Sequence, residues 1–254
     1  MEDMHMHLKK GVTDISIMQK YVEKCKEMKL NRVLFLDHGN RMSPKHTSVL
    51  NENKVIDKFF ENIKIVKENN PDIEINAGIE SDFSYDEEFK EKEIKILKSY
   101  PFDYIIGSVH GMEKVNYIDY LQANIDMIKT YPINIVGHLK LRKEYEQYKE
   151  KIEEIVKLAT EKNLMFDINT SDRSRWNIQQ LEYMLNLFKK YGTRYTVGSD
   201  AHSIDEIGYH IKEKYIKASA VVSDPQLKEK LQKCAAVHSS HVSVIEKLTG
   251  ETDG

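Results

Sequence analysis

Cysteine is almost absent from this 254-residue chain: Cys25 and Cys234 are all it has. They are too few and too far apart for a disulfide framework or a zinc site of Cys-x-x-Cys spacing, and both read as ordinary structural thiols. Proline and glycine are also scarce, at 5 and 11, so no linker or low-complexity stretch divides residues 1–216. No apolar run reaches the roughly 18 residues of a membrane helix. The opening Met1-Glu2-Asp3-Met4 lacks a basic region followed by an apolar one, which makes cytoplasmic residence the expectation. Charge of one sign is lacking too: 38 basic residues face 41 acidic ones, a formal net charge of -3. That balance removes the electrostatic footprint of a protein that binds long nucleic acid or an anionic membrane. A small phosphorylated ligand held by a few cations stays compatible with it. Phosphate-loop, nucleophile-elbow and dinucleotide signatures are missing as well.

What is present, 40% hydrophobic and 31% charged residues, suits one sizeable globular domain. Composition shifts late: residues 217–254 hold half of the eight alanines and a Ser/His cluster, Val237 to His241. We read 1–216 as the main domain and 217–254 as a helical C-terminal appendage with a frayed end. Along the main domain, short β-branched runs alternate with amphipathic stretches. Strands are expected near Met4–Leu8 and at Arg32–Leu36, Ile73–Ile79, Tyr104–Val109, Ile133–Val136, Leu164–Ile168 and Tyr195–Val197. Helices are expected at Ile15–Met28, Asn53–Asn69, Glu87–Ser99, Ile118–Thr130, Glu144–Glu161 and Ile178–Lys189. Strand followed by helix, repeated, predicts an α/β protein with a mainly parallel sheet.

The ten histidines acquire meaning from position. His7, His38, Glu80, His110, His138, Asn169 and Asp200 close successive predicted strands at intervals of about 30 to 40 residues, the length of a βα unit. Seven units are enough to close a barrel, whose chemistry lies on the face at the strand C-termini. All but the Asn169 position carry a metal-ligand residue type. His5 and His7, two apart, share one face of an extended strand. A single histidine of this kind is more simply a hydrogen-bonded turn residue; six of the ten at strand ends, His5, His7, His38, His110, His138 and His202, are not. Imidazole with carboxylate and no thiolate suits zinc, manganese or iron, and paired ions can activate water and bind phosphoryl oxygens.

The motifs His5-Met6-His7, Asp37-His38-Gly39, Gly78-Ile79-Glu80, Gly107-Ser108-Val109-His110, Gly137-His138 and Gly198-Ser199-Asp200-Ala201-His202 resemble, in order and interval, those of the PHP (polymerase and histidinol phosphatase) family, within it the histidinol-phosphatase branch. The resemblance runs from Met4 to about Tyr215. It implies a distorted (β/α)7 barrel with two or three divalent ions at the strand C-termini. Carried over by position, His5, His7, Glu80 and Asp200 hold the first ion; Glu80, His110 and His138 hold the second; His38 and His202 belong to a third. The family's further histidine after the first strand is missing from Lys9-Lys10-Gly11-Val12-Thr13-Asp14. Three readings stay open: Asp14 substitutes, His46 swings in, or the third site is weak or empty. Lys140 stands where relatives often carry an acidic residue, which weakens the expected support of His138.

Arginine is uncommon beside lysine, and its guanidinium fork matches phosphate oxygens. Arg142, Arg173 and Arg175 follow the fifth and sixth strands; histidinol-phosphatase relatives place phosphate-binding arginines in these two loops, and Arg142 with either Arg173 or Arg175 are the matching positions. Trp176 is either a stacking surface for a substrate ring or packing for the barrel rim. Residues 41–46, with Arg41, Met42, Pro44 and His46, form a long loop with the character of a lid. The expected activity is metal-dependent phosphomonoester hydrolysis by metal-activated water, most simply of histidinol phosphate. Glu80, His110 and Asp200 are the catalytic candidates, with either Asp200 or a metal-bound water to protonate the leaving oxygen. The rivals are another small phosphate ester such as a nucleotide, an amidohydrolase on a similar barrel, and a non-catalytic metal-binding module.

Overall fold

A computed structural model describes residues 1–40, 49–112, 115–171, 176–208 and 211. Arg41, His46, Arg173, Arg175, Cys234 and the whole 217–254 segment lie outside them. Seven parallel strands follow one another in chain order, β1 (Glu2–His7), β2 (Arg32–Leu36), β3 (Glu74–Asp82), β4 (Tyr104–Ser108), β5 (Ile135–Val136), β6 (Met165–Asn169) and β7 (Arg194–Gly198). Among the described residues six α-helices connect them: α1 (Ile15–Glu27), α2 (Asn53–Asn69), α3 (Glu87–Ser99), α4 (Tyr117–Thr130), α5 (Lys149–Glu161) and α6 (Ile178–Tyr191). The curve closes where Met6 bridges Ala201, with His7 N donating to Ala201 O at 2.8 Å and Asp200 N to His5 O at 2.8 Å. The chain is therefore a distorted (β/α)7 barrel: the strand-helix alternation predicts its parallel α/β sheet, and the family resemblance implies the barrel. No helix among the described residues is long and apolar enough to cross a membrane.

Among the boundaries that differ from the sequence reading, three have a clear physical cause. β3 runs on to Asp82 because Gly78 through Asp82 continue to pair with Tyr104 through Ser108; Glu80 thus stands within a strand rather than after one. β5 shrinks to two residues because Asn134 ties the approach instead, its N donating to Ile105 O at 2.9 Å and its Oδ1 accepting from Ile105 N at 2.8 Å. Tyr145–Tyr148 form a separate 3₁₀ turn before α5. At α6 the local chemistry was decisive: Asn177 and Gln180 make a capping box, and Gly192 ends the helix at φ 68°.

Two apolar layers result. The larger lies between strands and helices and includes Met6, Cys25, Val33, Phe35, Phe59, Ile79 and Phe166. Cys25 is fully buried there, its thiol pushed well up by that burial. The smaller, Met4, Leu34, Leu36, Ile106 and Ile135, fills the barrel floor. Met4 and Met6 fall in different layers because β1 is irregular between Asp3 and Met6, where its register against β2 slips by one residue. An extra residue re-aims the side chains beyond it. Here it lets Met4 fill the floor while His5 and His7, both fully buried, stand above it.

Candidate metal centre

The side chains above the floor converge from six strand positions. Glu80 on β3 is the centre of the arrangement. Its Oε1 lies 2.9 Å from His138 Nε2 and 3.6 Å from His110 Nε2, and accepts from Ser108 Oγ at 2.7 Å. Its Oε2 faces the opposite group, 2.9 Å from His38 Nδ1, 3.4 Å from His7 Nε2 and 3.7 Å from His5 Nε2. Asp200, after β7, brings Oδ1 to 3.2 Å from His7 Nε2 and 3.6 Å from His5 Nε2. His202 approaches His7 with ring centroids 4.2 Å apart, and its Nδ1 meets Asp200 O at 2.8 Å.

These residues fall into three clusters of possible ligands: His5, His7 and Asp200; Glu80, His110 and His138; and His7, His38 and His202. Within each, one ligand atom per residue lies within 4.8 Å of the others. All eight candidate ligands are thus brought together, with His7 shared by two clusters. The chemistry of the set fits divalent cations. Glu80 Oε2 is buried yet makes no hydrogen bond among the described residues, and a buried carboxylate oxygen left that way is costly unless a cation compensates it. Pairs of nitrogens also approach closely, His5 Nε2 to His7 Nε2 and His110 Nε2 to His138 Nε2, both at 3.2 Å.

The electrostatics are mutual. Burial alone would raise the Glu80 and Asp200 carboxyls, but the imidazoles around them, His38 and His110 at Glu80, His5 and His7 at Asp200, hold both well below the usual range. Burial alone would lower His5, yet Asp200 and Asp167 raise it well above an ordinary histidine. His202 moves the other way, to about 4, through burial and the neighbouring His7. A site that holds its carboxylates ionised among nitrogen donors is suited to cations.

Asp14 is not part of this centre. It is exposed, and its Oδ1 accepts from Ser16 N at 2.9 Å and Ser16 Oγ at 2.7 Å, capping α1. The sequence reading of Asp14 as a substitute ligand is therefore corrected: the first turn of a helix already uses that oxygen. Asp14→Ala should cost about 1 kcal/mol of stability while leaving metal content at the wild-type level; denaturant melts and elemental analysis check both.

Trp176 is likewise settled as packing. It is buried, and its Nε1 donates to Leu139 O at 2.7 Å. Arg142 donates to Val115 O and Met112 O, both at 2.7 Å, and lies 5.3 Å from the Tyr117 ring centroid and 5.4 Å from that of Tyr120. It holds the backbone carbonyls of Met112 and Val115, beyond His110, on one guanidinium. At Lys140 the backbone is held by two tyrosines, N donating to Tyr120 Oη at 2.8 Å and O accepting from Tyr117 Oη at 3.0 Å.

Sequence reasoning assigned no role to Asp167, Asp82 or Ser171. Asp167 Oδ2 lies 2.9 Å from His5 Nδ1, and Asp82 Oδ1 lies 2.7 Å from His110 Nδ1. Ser171 Oγ donates to Asn169 Oδ1 at 2.6 Å and approaches Asp200 Oδ2 at 3.4 Å. A signal existed for Asp167, a lone acid in the strand Met165-Phe166-Asp167-Ile168-Asn169. Alternation would have put it on the face of Asn169, toward the site.

A model of the PHP domain matches residues 3–171. The chain belongs to the PHP domain family. Among similar proteins, this PHP chain is 26% identical over 192 residues to a probable histidinol-phosphatase of Clostridium acetobutylicum, covering 62% of the chain and 70% of that protein. It is 25% identical over 231 residues to a histidinol-phosphatase of Lactococcus lactis, covering 79% and 83%. The crystal structure of histidinol phosphate phosphatase from Lactococcus lactis, complexed with zinc, L-histidinol and phosphate, matches with a TM-score of 0.70 at 21% identity, over 87% of this chain and 93% of that one. That likeness shows the shared PHP barrel.

Proposed function

We propose that this PHP-family phosphatase hydrolyses a small phosphate monoester, histidinol phosphate being the first candidate. The observation that carries the reading is Glu80, whose two oxygens face two separate histidine groups across one buried carboxylate. In this reading His5, His7, Glu80 and Asp200 would hold one divalent ion, and Glu80, His110 and His138 would hold a second. His38 and His202 hold a third, with His7 beside them. Ions bound there would activate water and neutralise charge on the phosphoryl oxygens. Glu80, His110 and Asp200 are the residues we take to be catalytic; because Asp200 is held ionised, the proton for the leaving oxygen would come from water at the centre rather than from its carboxyl.

Arg142 holds the backbone carbonyls of Met112 and Val115. Its role as a phosphate ligand, together with Arg173 and Arg175, is part of the proposal. It requires the Arg142 fork to exchange a carbonyl for a phosphate oxygen. The named relatives from Clostridium and Lactococcus support the choice of substrate.

Steady-state assay of the metal-reconstituted protein on histidinol phosphate, beside a panel of nucleotides and sugar phosphates, tests the reading. The expected result is the highest kcat/KM on histidinol phosphate. A clear preference for another ester overturns that substrate and keeps the phosphatase. Stoichiometric metal with no hydrolysis under zinc, manganese or iron overturns the phosphatase and favours a metal-binding module.

A further inference from the structure

We propose that Asp167 and Asp82 are positioning residues, each fixing one imidazole of a different ligand cluster and so setting the strength of the two clusters independently. The inference rests on the metal-centre reading above. Neither carboxylate belongs to any of the three clusters of candidate ligands.

A neutral imidazole carries one N–H, and whichever nitrogen donates it leaves the other with the lone pair. At His5 the donor is Nδ1, because Asp167 Oδ2 stands 2.9 Å away with nothing to offer but acceptance. The lone pair then falls on Nε2, the nitrogen turned toward His7 Nε2 at 3.2 Å and Asp200 Oδ1 at 3.6 Å. At His110 the same logic runs through Asp82 Oδ1 at 2.7 Å from Nδ1, which leaves Nε2 toward His138 Nε2 at 3.2 Å and Glu80 Oε1 at 3.6 Å. Each cluster therefore has one histidine whose coordinating nitrogen is chosen by a carboxylate outside the cluster. A ligand so held is both aimed and made more basic.

The barrel is shaped around the first of these pairs. A Cβ on Gly198 of β7 would lie 2.4 Å from His5 Cβ and 2.8 Å from Asp167 Oδ1, so only glycine leaves the two side chains room to meet. Asp167 is 1% exposed and receives a further hydrogen bond from Asn169 Nδ2 at 3.3 Å. The second pair is set by register. Asp82 is 2% exposed and aligns with Ser108 as the last pair between β3 and β4, which places its carboxylate beside the residues leading to His110. The two pairs stand apart in the barrel: Asp167 on β6 reaches His5 on β1, and Asp82 on β3 reaches His110 just after β4. They share no residue, so removing one carboxylate leaves the other pair in place.

The test is a zinc titration of the full chain against a chromophoric chelator, for the wild type, Asp167→Asn and Asp82→Asn. Asparagine keeps the volume and loses the charge. The wild type should show two classes of tight site. Asp167→Asn should raise the Kd of one class, and Asp82→Asn that of the other, each by roughly 10- to 100-fold. The melting temperature of each metal-free variant should remain close to that of the metal-free wild type. Variants that bind zinc as the wild type does, or that both weaken the same class, overturn the proposal. A wild type that binds no zinc sinks the metal-centre reading itself, so the two failures are distinguishable. Nitrogen-15 NMR of the zinc-loaded wild type needs no variant: His5 and His110 should each carry their proton on Nδ1. A proton on Nε2 of either residue overturns the assignment for that pair.

Discussion

Glu80→Gln is expected to lower kcat/KM on the preferred phosphate ester by at least about a thousandfold, equivalent to about 4 kcal/mol of transition-state stabilisation. Five imidazoles lie within 3.7 Å of its carboxylate oxygens, His138 and His110 about Oε1 and His38, His7 and His5 about Oε2. No other side chain faces both groups in this way among the described residues. Glutamine preserves length and an acceptor for Ser108 Oγ, which now donates to Oε1 at 2.7 Å. It removes the charge and gives one end of the group two N–H donors, which cannot ligate a cation. The loss should therefore appear in activity and in metal stoichiometry together, while β3 retains its pairing with β4. Steady-state kinetics at saturating metal, with elemental analysis of the same sample, read both. Wild-type kcat/KM in a Glu80→Gln sample that folds would end the case for Glu80 as the shared ligand.

Most of the barrel was legible because the same device recurs. A β-branched run ends in a glycine or a metal-ligand residue type, an amphipathic helix follows, and the interval stays near one βα unit. Boundaries failed where tertiary pairing or turn chemistry competes with composition. Nothing local in Glu80-Ser81-Asp82 says that β4 will continue to pair with it. Asn134 replaces ladder bonds with its side chain. At the centre, the histidines were visible because that residue type is rare enough for position to be informative. Asp167, Asp82 and Glu93 were not, because an acidic residue is common and its role depends on what it meets. Glu93 lies on α3, where the only other buried residue is the core leucine Leu97. It is fully buried, accepts from Ser81 Oγ at 2.8 Å and Asn40 Nδ2 at 2.7 Å, and lies where any side chain on Gly39 would collide with it. Asp14 failed the opposite way: its type suits a ligand, but a carboxylate directly before a helix is first of all a cap.

Removal of divalent metal should lower the melting temperature by about 8–16 °C relative to saturating metal. A ligand at about a thousand times its Kd stabilises the folded state by about 4 kcal/mol, and a domain of this size shifts by about 2–4 °C per kcal/mol. The place where that stabilisation acts is the seam of the barrel. β2 and β3 align over four residue pairs, whereas β1 and the residues after β7 meet through the bridge of Met6 with Ala201, the two backbone hydrogen bonds beside it and Ser199 N donating to Asp3 Oδ1 at 2.9 Å. His5 and His7 stand on one side of that seam, Asp200 and His202 on the other. A cation held by His5, His7 and Asp200 would link both edges through bonds the backbone does not supply. It would also offset the cost of Asp200, a non-glycine residue at φ 53°, which is of the order of 1 kcal/mol. Calorimetry in chelator and in excess zinc measures the shift. In Asp200→Asn, which removes the anionic ligand at the seam, the shift should shrink to less than half of its wild-type value. Equal melting temperatures with and without metal in the wild type would show that the seam holds without the ions.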